Sequence, residues 1–108
     1  MQMCCTKLEA LWRLGRAGEM IADPGLQKIR TRAGLEPYQL SDLTEEEFLN
    51  ELGREFAWEG HRRQDQIRFG VWNTSWWNKP PSAPTDKLFP IPESALSSNF
   101  KLVQNDGY

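Results

Sequence analysis

Three side chains of the types used in acid–base catalysis lie close together in the sequence. His61 is the only histidine, and Glu55 and Glu59 are two carboxylates at helical spacing. Hydrolysis of a glycosidic bond by two carboxylates requires them on opposite sides of a substrate cleft, not stacked on one helix face. Arg62 and Arg63 disfavour a cationic His61, and no serine or cysteine is placed to act as its nucleophile. We therefore predict that the chain is not an enzyme and has no catalytic residues.

The two cysteines do not form a recognisable metal or redox site. Cys4 and Cys5 are adjacent, so they cannot easily form a disulfide with each other, and two cysteines do not make a metal cluster. Free cysteine behaves as a small apolar residue when it is packed. We predict that both lie in or before the first helix and that the chain has no metal site and no cofactor.

A tryptophan-rich loop offers the one binding chemistry that the residue types favour. Trp72, Trp76 and Trp77 occur together among Asn, Ser, Thr and Pro residues. An exposed indole face can stack on a sugar ring, and loops commonly carry binding residues. The alternative is burial, since tryptophan is usually mostly buried and this chain has few apolar residues. Burial is the preferred reading for Trp72, whereas Trp76 and Trp77 remain candidate ligand-binding residues.

The stretch 44–70 is predicted to be the helix around which the chain is organised. Thr44 is a good N-cap, and Glu47 can complete a capping box by accepting from the Thr44 backbone N–H. Leu43 and Phe48 are spaced to form a hydrophobic staple across this start. We expect one long helix that is kinked or closely packed at Gly60, a glycine in its interior.

The second half of that helix carries charges at steps of four, three, three and three. On a helix these side chains lie near one another, with signs that mostly alternate. One interpretation is a solvated face, with exposed pairs worth about 0–1 kcal/mol each. We favour a partly buried polar lattice that is structural and not catalytic, and its members are Glu55, Glu59, Arg62, Asp65 and Arg68.

The rest of the chain predicts an all-α fold followed by an irregular tail. Helices over 6–21 and 25–33 would form a helical hairpin over 6–34, with Asp23-Pro24 at the turn, and the Leu and Gly spacing in the first is close to a tetratricopeptide repeat. A loop leads to the long helix. Residues 71–108 are rich in Pro and Trp and lack periodicity, apart from one short helical turn near Pro92. We expect residues 1–108 to form a single domain.

Charge argues against one kind of partner, and hydropathy argues against a membrane-spanning segment. The net charge is −2 and the basic residues do not form a stripe, which argues against nucleic-acid binding. No stretch is long and apolar enough to suggest a membrane span, and the first residues do not resemble a signal peptide.

Three segments together resemble the SusD/RagB family of outer-membrane nutrient-binding lipoproteins of Bacteroidetes. The segment FAWEGHRRQDQIRFG (56–70) is similar to the family's LAFEGHRWFDLIRWG, LFPIPE (88–93) to its LFPIP-E, and QNDGY (104–108) to its closing QNPGY. The resemblance implies a helical scaffold built on tetratricopeptide-like pairs. It also implies non-catalytic binding of a glycan or oligosaccharide, an outward-facing position on the outer membrane, and a SusC-like TonB-dependent transporter as partner. No ligand residue of the family can be carried onto this chain.

The resemblance corresponds to the C-terminal part of a longer family member. We therefore expect apolar residues to be left uncovered, and Trp12 to anchor a possible homodimer unless the tail folds over them. The alternative function is a helical protein-interaction module without a ligand of its own. The residues expected in the patch are Leu8, Leu11, Trp12, Leu26 and Ile29.

Overall fold

The computed structural model describes the backbone from Gln2 to Tyr108 and the side chains from Cys4 onward. Over this range the chain is helical and has no sheet; its one β-type pairing is an isolated bridge between Trp76 and Lys79. The predicted all-α class is therefore confirmed. The helices are α1 (Gln2–Arg13), α2 (Ala17–Ile21), α3 (Pro24–Arg32), α4 (Glu45–Glu55), α5 (Arg62–Arg68) and α6 (Glu93–Ser98), with one 3-10 turn (Pro84–Lys87).

The chain divides into two compact units, Met1–Arg62 and Arg63–Tyr108. The first unit contains helices α1 to α4. The second contains the rest of α5, the 3-10 turn and α6, joined by irregular segments. The assignment of residues 1–108 to a single domain stays a prediction.

The first predicted helix is two helices. A single helix was expected over 6–21, but α1 begins at Gln2 and ends at Arg13, and α2 follows from Ala17. The backbone reverses at Gly15, whose φ of 70° belongs to the left-handed region that glycine adopts at low cost. The helical spacing continued across this glycine, which is why the pattern alone did not show the break.

Helix α3 begins as the sequence predicts. Asp23 is the N-cap, its Oδ1 accepts from the Gly25 backbone N–H at 2.8 Å, and Pro24 occupies the first helical position. The Lys7 ammonium on α1 donates to the same Asp23 carboxylate at 2.5 Å. Helices α1, α2 and α3 pack on one another, so a three-helix arrangement takes the place of the predicted two-helix hairpin.

The organising helix is also interrupted, and this corrects the prediction of one helix over 44–70. Its start is as expected, since Thr44 Oγ1 accepts from the Glu47 N–H at 3.1 Å. Helix α4 ends at Glu55, and the chain then passes through Trp58 and Gly60, which have φ values of 68° and 78°. Two left-handed residues so close together cannot continue a right-handed helix, so α5 starts separately.

The apolar core lies in the first unit. Leu8, Leu26 and Ile29, which were expected to form an exposed patch, are buried. Trp12 is half-buried, and its ring lies 6.3 Å from that of Phe48 on α4. The patch prediction was wrong for these three aliphatic residues because the helices of the unit bury them, while a homodimer stays a prediction. The core comprises Cys5, Leu8, Met20, Leu26, Ile29, Tyr38, Leu43, Phe48, Leu49 and Leu52.

Candidate functional site

The tryptophan-rich loop of the second unit contains a tight turn with Trp77 at its tip. The Trp76 N–H donates to the Lys79 carbonyl at 3.2 Å, and the Lys79 N–H donates to the Trp76 carbonyl at 2.9 Å. Asn78, the third residue of the turn, has a φ of 60°, a conformation that asparagine tolerates better than most residues. The turn leaves Trp77 91% exposed.

Trp76 is less free than Trp77. The Lys79 ammonium lies 4.2 Å from the centre of the Trp76 ring and 5.6 Å from that of Trp72. The Trp72 and Trp76 rings are 5.8 Å apart. Trp76 is consequently 37% exposed, so the structure separates the two candidates that the sequence left equal.

Trp72 is partly buried and is held by contacts within the second unit. Its indole N–H donates to the Asp86 carbonyl at 3.2 Å, and the Arg63 guanidinium donates to the same oxygen at 2.9 Å. Arg63 also lies 5.1 Å from the Trp72 ring centre and 4.5 Å from that of Phe89. Five side chains thus form an alternating row of rings and cations, called here the cation–aromatic row: Phe89, Arg63, Trp72, Lys79 and Trp76.

The last five residues bind the proline-rich segment of the same unit. The Gln104 side-chain amide forms two hydrogen bonds with the backbone of Ile91, accepting at 2.8 Å and donating at 2.9 Å. The Asn105 amide donates to the Phe89 carbonyl at 2.7 Å, and the Tyr108 hydroxyl lies 3.1 Å from both the Thr85 and Leu88 carbonyls. Sequence reasoning recognised both segments but not that they contact each other.

The structure does not bring the five lattice residues into one network. Glu55 pairs with Arg32 on α3 at 2.6 Å, and its side chain is only 6% exposed. Asp65 and Arg68 pair within α5 at 2.5 Å. Glu59 is exposed and belongs to none of the ion pairs found from Cys4 onward. The break after α4 separates residues that a continuous helix would have stacked.

Arg62, the remaining lattice residue, binds α4 instead of a carboxylate. Its guanidinium donates to the Leu49 carbonyl at 2.6 Å and to Asn50 Oδ1 at 3.3 Å. Gly53 leaves the space for it, since a Cβ at that position would lie 2.7 Å from Arg62 Nη1. The stabilising role assigned to the lattice stays a prediction.

A partly buried polar cluster on the first unit was missed by the sequence analysis. The Tyr38 hydroxyl lies 2.7 Å from Glu47 Oε1 and 2.8 Å from Glu51 Oε2, and Arg54 donates to both carboxylates. Arg30 lies over the Tyr38 ring at 4.1 Å. The predicted capping box is therefore half formed, because the Glu47 carboxylate binds Tyr38 and Arg54 instead of the Thr44 N–H.

The ionisation of this cluster follows from its contacts. Burial alone would raise the pKa of Glu47, but the hydrogen bonds from Tyr38 and Arg54 outweigh it and hold the pKa below its usual value. Burial, with the two neighbouring carboxylates, raises the pKa of Tyr38 well above its usual value. Glu47 thus stays ionised and Tyr38 stays a donor at neutral pH.

A shallow polar pocket of about 510 Å³ lies beside this cluster. Its lining is formed by α3, the following loop and α4, and three of its residues are acidic. From Cys4 onward, no group of three or more His, Cys, Asp and Glu side chains is arranged to hold a metal ion. The lining residues are Arg30, Tyr38, Asp42, Thr44, Glu46, Glu47 and Asn50.

The three side chains considered for catalysis differ in their surroundings and contacts. The Glu55 carboxylate is directed at Arg32, whereas Glu59 is exposed beyond the end of α4. The His61 ring lies 5.0 Å from that of Phe56, an aromatic packing contact. Among the described residues no helix has the length and apolar character needed to cross a membrane.

Comparison with known proteins identifies the family of this helical chain. Residues 6–80 match the model of the SusD family. The chain is also 35% identical, over an alignment of 112 residues, to the starch-binding protein SusD of Bacteroides thetaiotaomicron. The chain belongs to the SusD family. The alignment covers 95% of this chain and 19% of that relative, so the chain spans about a fifth of its length.

Proposed function

We propose that the chain is a non-catalytic glycan-binding part of a SusD-like uptake system of the outer membrane. The observation that carries this proposal is the family membership, with 35% identity to a starch-binding protein along nearly the whole chain. The contacts of the side chains considered for catalysis support the non-catalytic part of the proposal, since Glu55 pairs with Arg32 and His61 packs on Phe56, whereas acid–base chemistry requires groups positioned toward a common substrate.

Trp77 is the residue that we propose contacts the glycan. Its indole is 91% exposed at the tip of a hydrogen-bonded turn, whereas Trp76 and Trp72 pack with Lys79. A rigid, exposed aromatic face can cover a sugar ring with little loss of side-chain entropy.

Calorimetric titration with maltoheptaose, a soluble piece of starch, tests this assignment. Trp77→Ala removes the stacking face and is expected to weaken binding at least about tenfold, a typical loss for one stacked aromatic. Trp58→Ala is the matched control, because Trp58 is equally exposed, at 103%, but lies in the first unit. Equal losses in both variants, or binding unchanged in Trp77→Ala, would contradict the role of Trp77.

Location and partner belong to the same proposal. We place the chain on the outward face of the outer membrane, beside a SusC-like TonB-dependent transporter, because the family resemblance implies both. Co-purification of the tagged chain with the transporter from detergent-solubilised outer membranes is the expected result. Recovery of the chain without any transporter would refute this partner.

One observation favours the second candidate function, a helical protein-interaction module. Trp58 is fully exposed and has a φ of 68°, a conformation that costs a bulky residue about 1–3 kcal/mol. A protein partner that covers this indole would gain the favourable free energy of burying so large an apolar group. If Trp58→Ala, and not Trp77→Ala, abolishes transporter binding while no glycan binds, the interaction module is the better description.

A further inference from the structure

Lys79 ties together the two sides of the turn that presents Trp77. Its ammonium lies 3.1 Å from the Thr74 carbonyl before the turn, and 3.2 Å and 3.3 Å from the Pro80 carbonyl and Ser82 Oγ after it. An ammonium group has three N–H donors, and these acceptors use all of them. Lys79 therefore has no donor left for a ligand.

The same ammonium is also the cation between two rings of the cation–aromatic row. It lies over both Trp76 and Trp72, so the hydrogen bonds and the ring contacts converge on one atom. Trp76 is the first residue of the turn and Lys79 the last, and they are already joined by two backbone hydrogen bonds. Removing the ammonium would leave the turn with its backbone pairing and the Trp72–Trp76 ring contact, because the hydrogen bonds of Asn73 to Ser82 and Ala83 join the loop farther from the tip.

From this geometry we infer that Lys79 is a positioning residue for glycan binding, acting through Trp77 without touching the ligand. The inference rests on the proposed function of Trp77. A turn that is ordered before binding does not have to be ordered by the ligand, and the apparent affinity falls by the fraction of molecules in which the turn is formed. The cation that stacks on two indoles is what keeps that fraction high.

Lys79→Met tests the inference, because methionine keeps the apolar stem and removes the charge and the donors. We expect maltoheptaose to bind about five- to tenfold more weakly, the loss that two partly exposed cation–π contacts predict. Lys79→Arg keeps a cation over the rings and should recover most of the affinity. Lys101→Met is the matched control, since Lys101 is exposed on the same unit and its only described hydrogen bond is through its backbone.

Fluorine NMR of the chain labelled with 5-fluorotryptophan gives a second readout that needs no glycan. In Lys79→Met the Trp77 signal, assigned with Trp77→Phe, should shift and broaden, while the Trp58 signal stays where it is. If the unmodified chain binds no glycan, the proposed function fails, and this signal still decides whether Lys79 positions Trp77. Unchanged affinity and an unchanged Trp77 signal in Lys79→Met would overturn the inference. If Lys79→Met melts below the working temperature, Lys79→Gln replaces it with the same expected direction.

Discussion

Replacing Tyr38 with phenylalanine isolates one hydroxyl in the partly buried cluster of the first unit. The ring is 4% exposed and would keep its packing and its contact with Arg30, so only the hydroxyl is lost. That hydroxyl has one proton to donate to two carboxylates, Glu47 and Glu51. A hydrogen bond to a charged acceptor contributes about 1.5–3 kcal/mol. The hydroxyl also accepts from Arg54 at 3.2 Å, but Arg54 still binds both carboxylates in the variant, so no charged group is left without a partner and this range is the expected cost.

The free energy of unfolding, measured in urea by far-ultraviolet circular dichroism, should fall by that amount. For a chain of this size the melting temperature would fall by at least about 6 °C. Tyr108→Phe is the matched control, since the Tyr108 hydroxyl binds only neutral backbone carbonyls and the residue is 51% exposed. Its cost should be below about 1 kcal/mol. Equal effects of the two substitutions would refute the idea that the charged acceptors and burial give Tyr38 its importance.

The loss of stability in Tyr38→Phe, relative to the parent chain, should depend on pH. Glu47 has a folded-state pKa below its usual value of 4.5, so its contribution is fully present above pH 4.5. That contribution is lost as the pH falls through the folded-state value. Tyr38→Phe removes one cause of the shift, so the stability difference between parent and variant should narrow below pH 4.5. A constant difference from pH 7 to pH 3 would contradict this coupling.

Two further substitutions, one in each unit, test specific contacts. Arg32→Ala removes the ion-pair partner of the Glu55 carboxylate, which is 6% exposed. It should lower the free energy of unfolding by about 1–3 kcal/mol in the same urea assay. Arg16→Ala breaks an exposed pair and should change that free energy by less than about 0.5 kcal/mol. Gly107→Ala places a methyl group against Thr85 at a φ of 89°, so residues 104–108 should detach from the proline-rich segment. The Ile91 amide, which donates to Gln104, should then exchange hydrogen faster in an NMR measurement. Equal costs of the two arginine variants, or an unchanged Ile91 exchange rate, would contradict these contacts.

Local signals predicted the starts of α3 and α4 well. The caps at Asp23 and Thr44 form the expected hydrogen bonds, because each depends only on residues within one turn of the chain. The short helix predicted after Pro92 is present as α6. The family resemblance rested on sequence segments and needed no knowledge of tertiary contacts.

Interruptions and long-range contacts were beyond such signals. Gly60 predicted a kink, but the apolar and charged spacing continues past Glu55. The left-handed conformation of Trp58 also contradicts the usual preference of a bulky residue, so local rules did not predict a complete break. Tyr38 hydrogen-bonds to Glu47 and Glu51, which are nine and thirteen residues away, because the loop that carries it packs on α4. The difference in exposure between Trp76 and Trp77 depends on the position of Lys79 over the Trp72 and Trp76 rings. Residue composition does not predict that position.

Titration of the 15N-labelled chain with maltoheptaose, followed through the indole N–H signals of its five tryptophans, tests the central claim most directly. Binding through the turn predicts that the Trp77 signal moves and saturates with the dissociation constant of the glycan. The Trp58 signal should stay in place throughout. A titration in which Trp58 moves and Trp77 does not, or in which no indole responds, would contradict glycan binding by this turn.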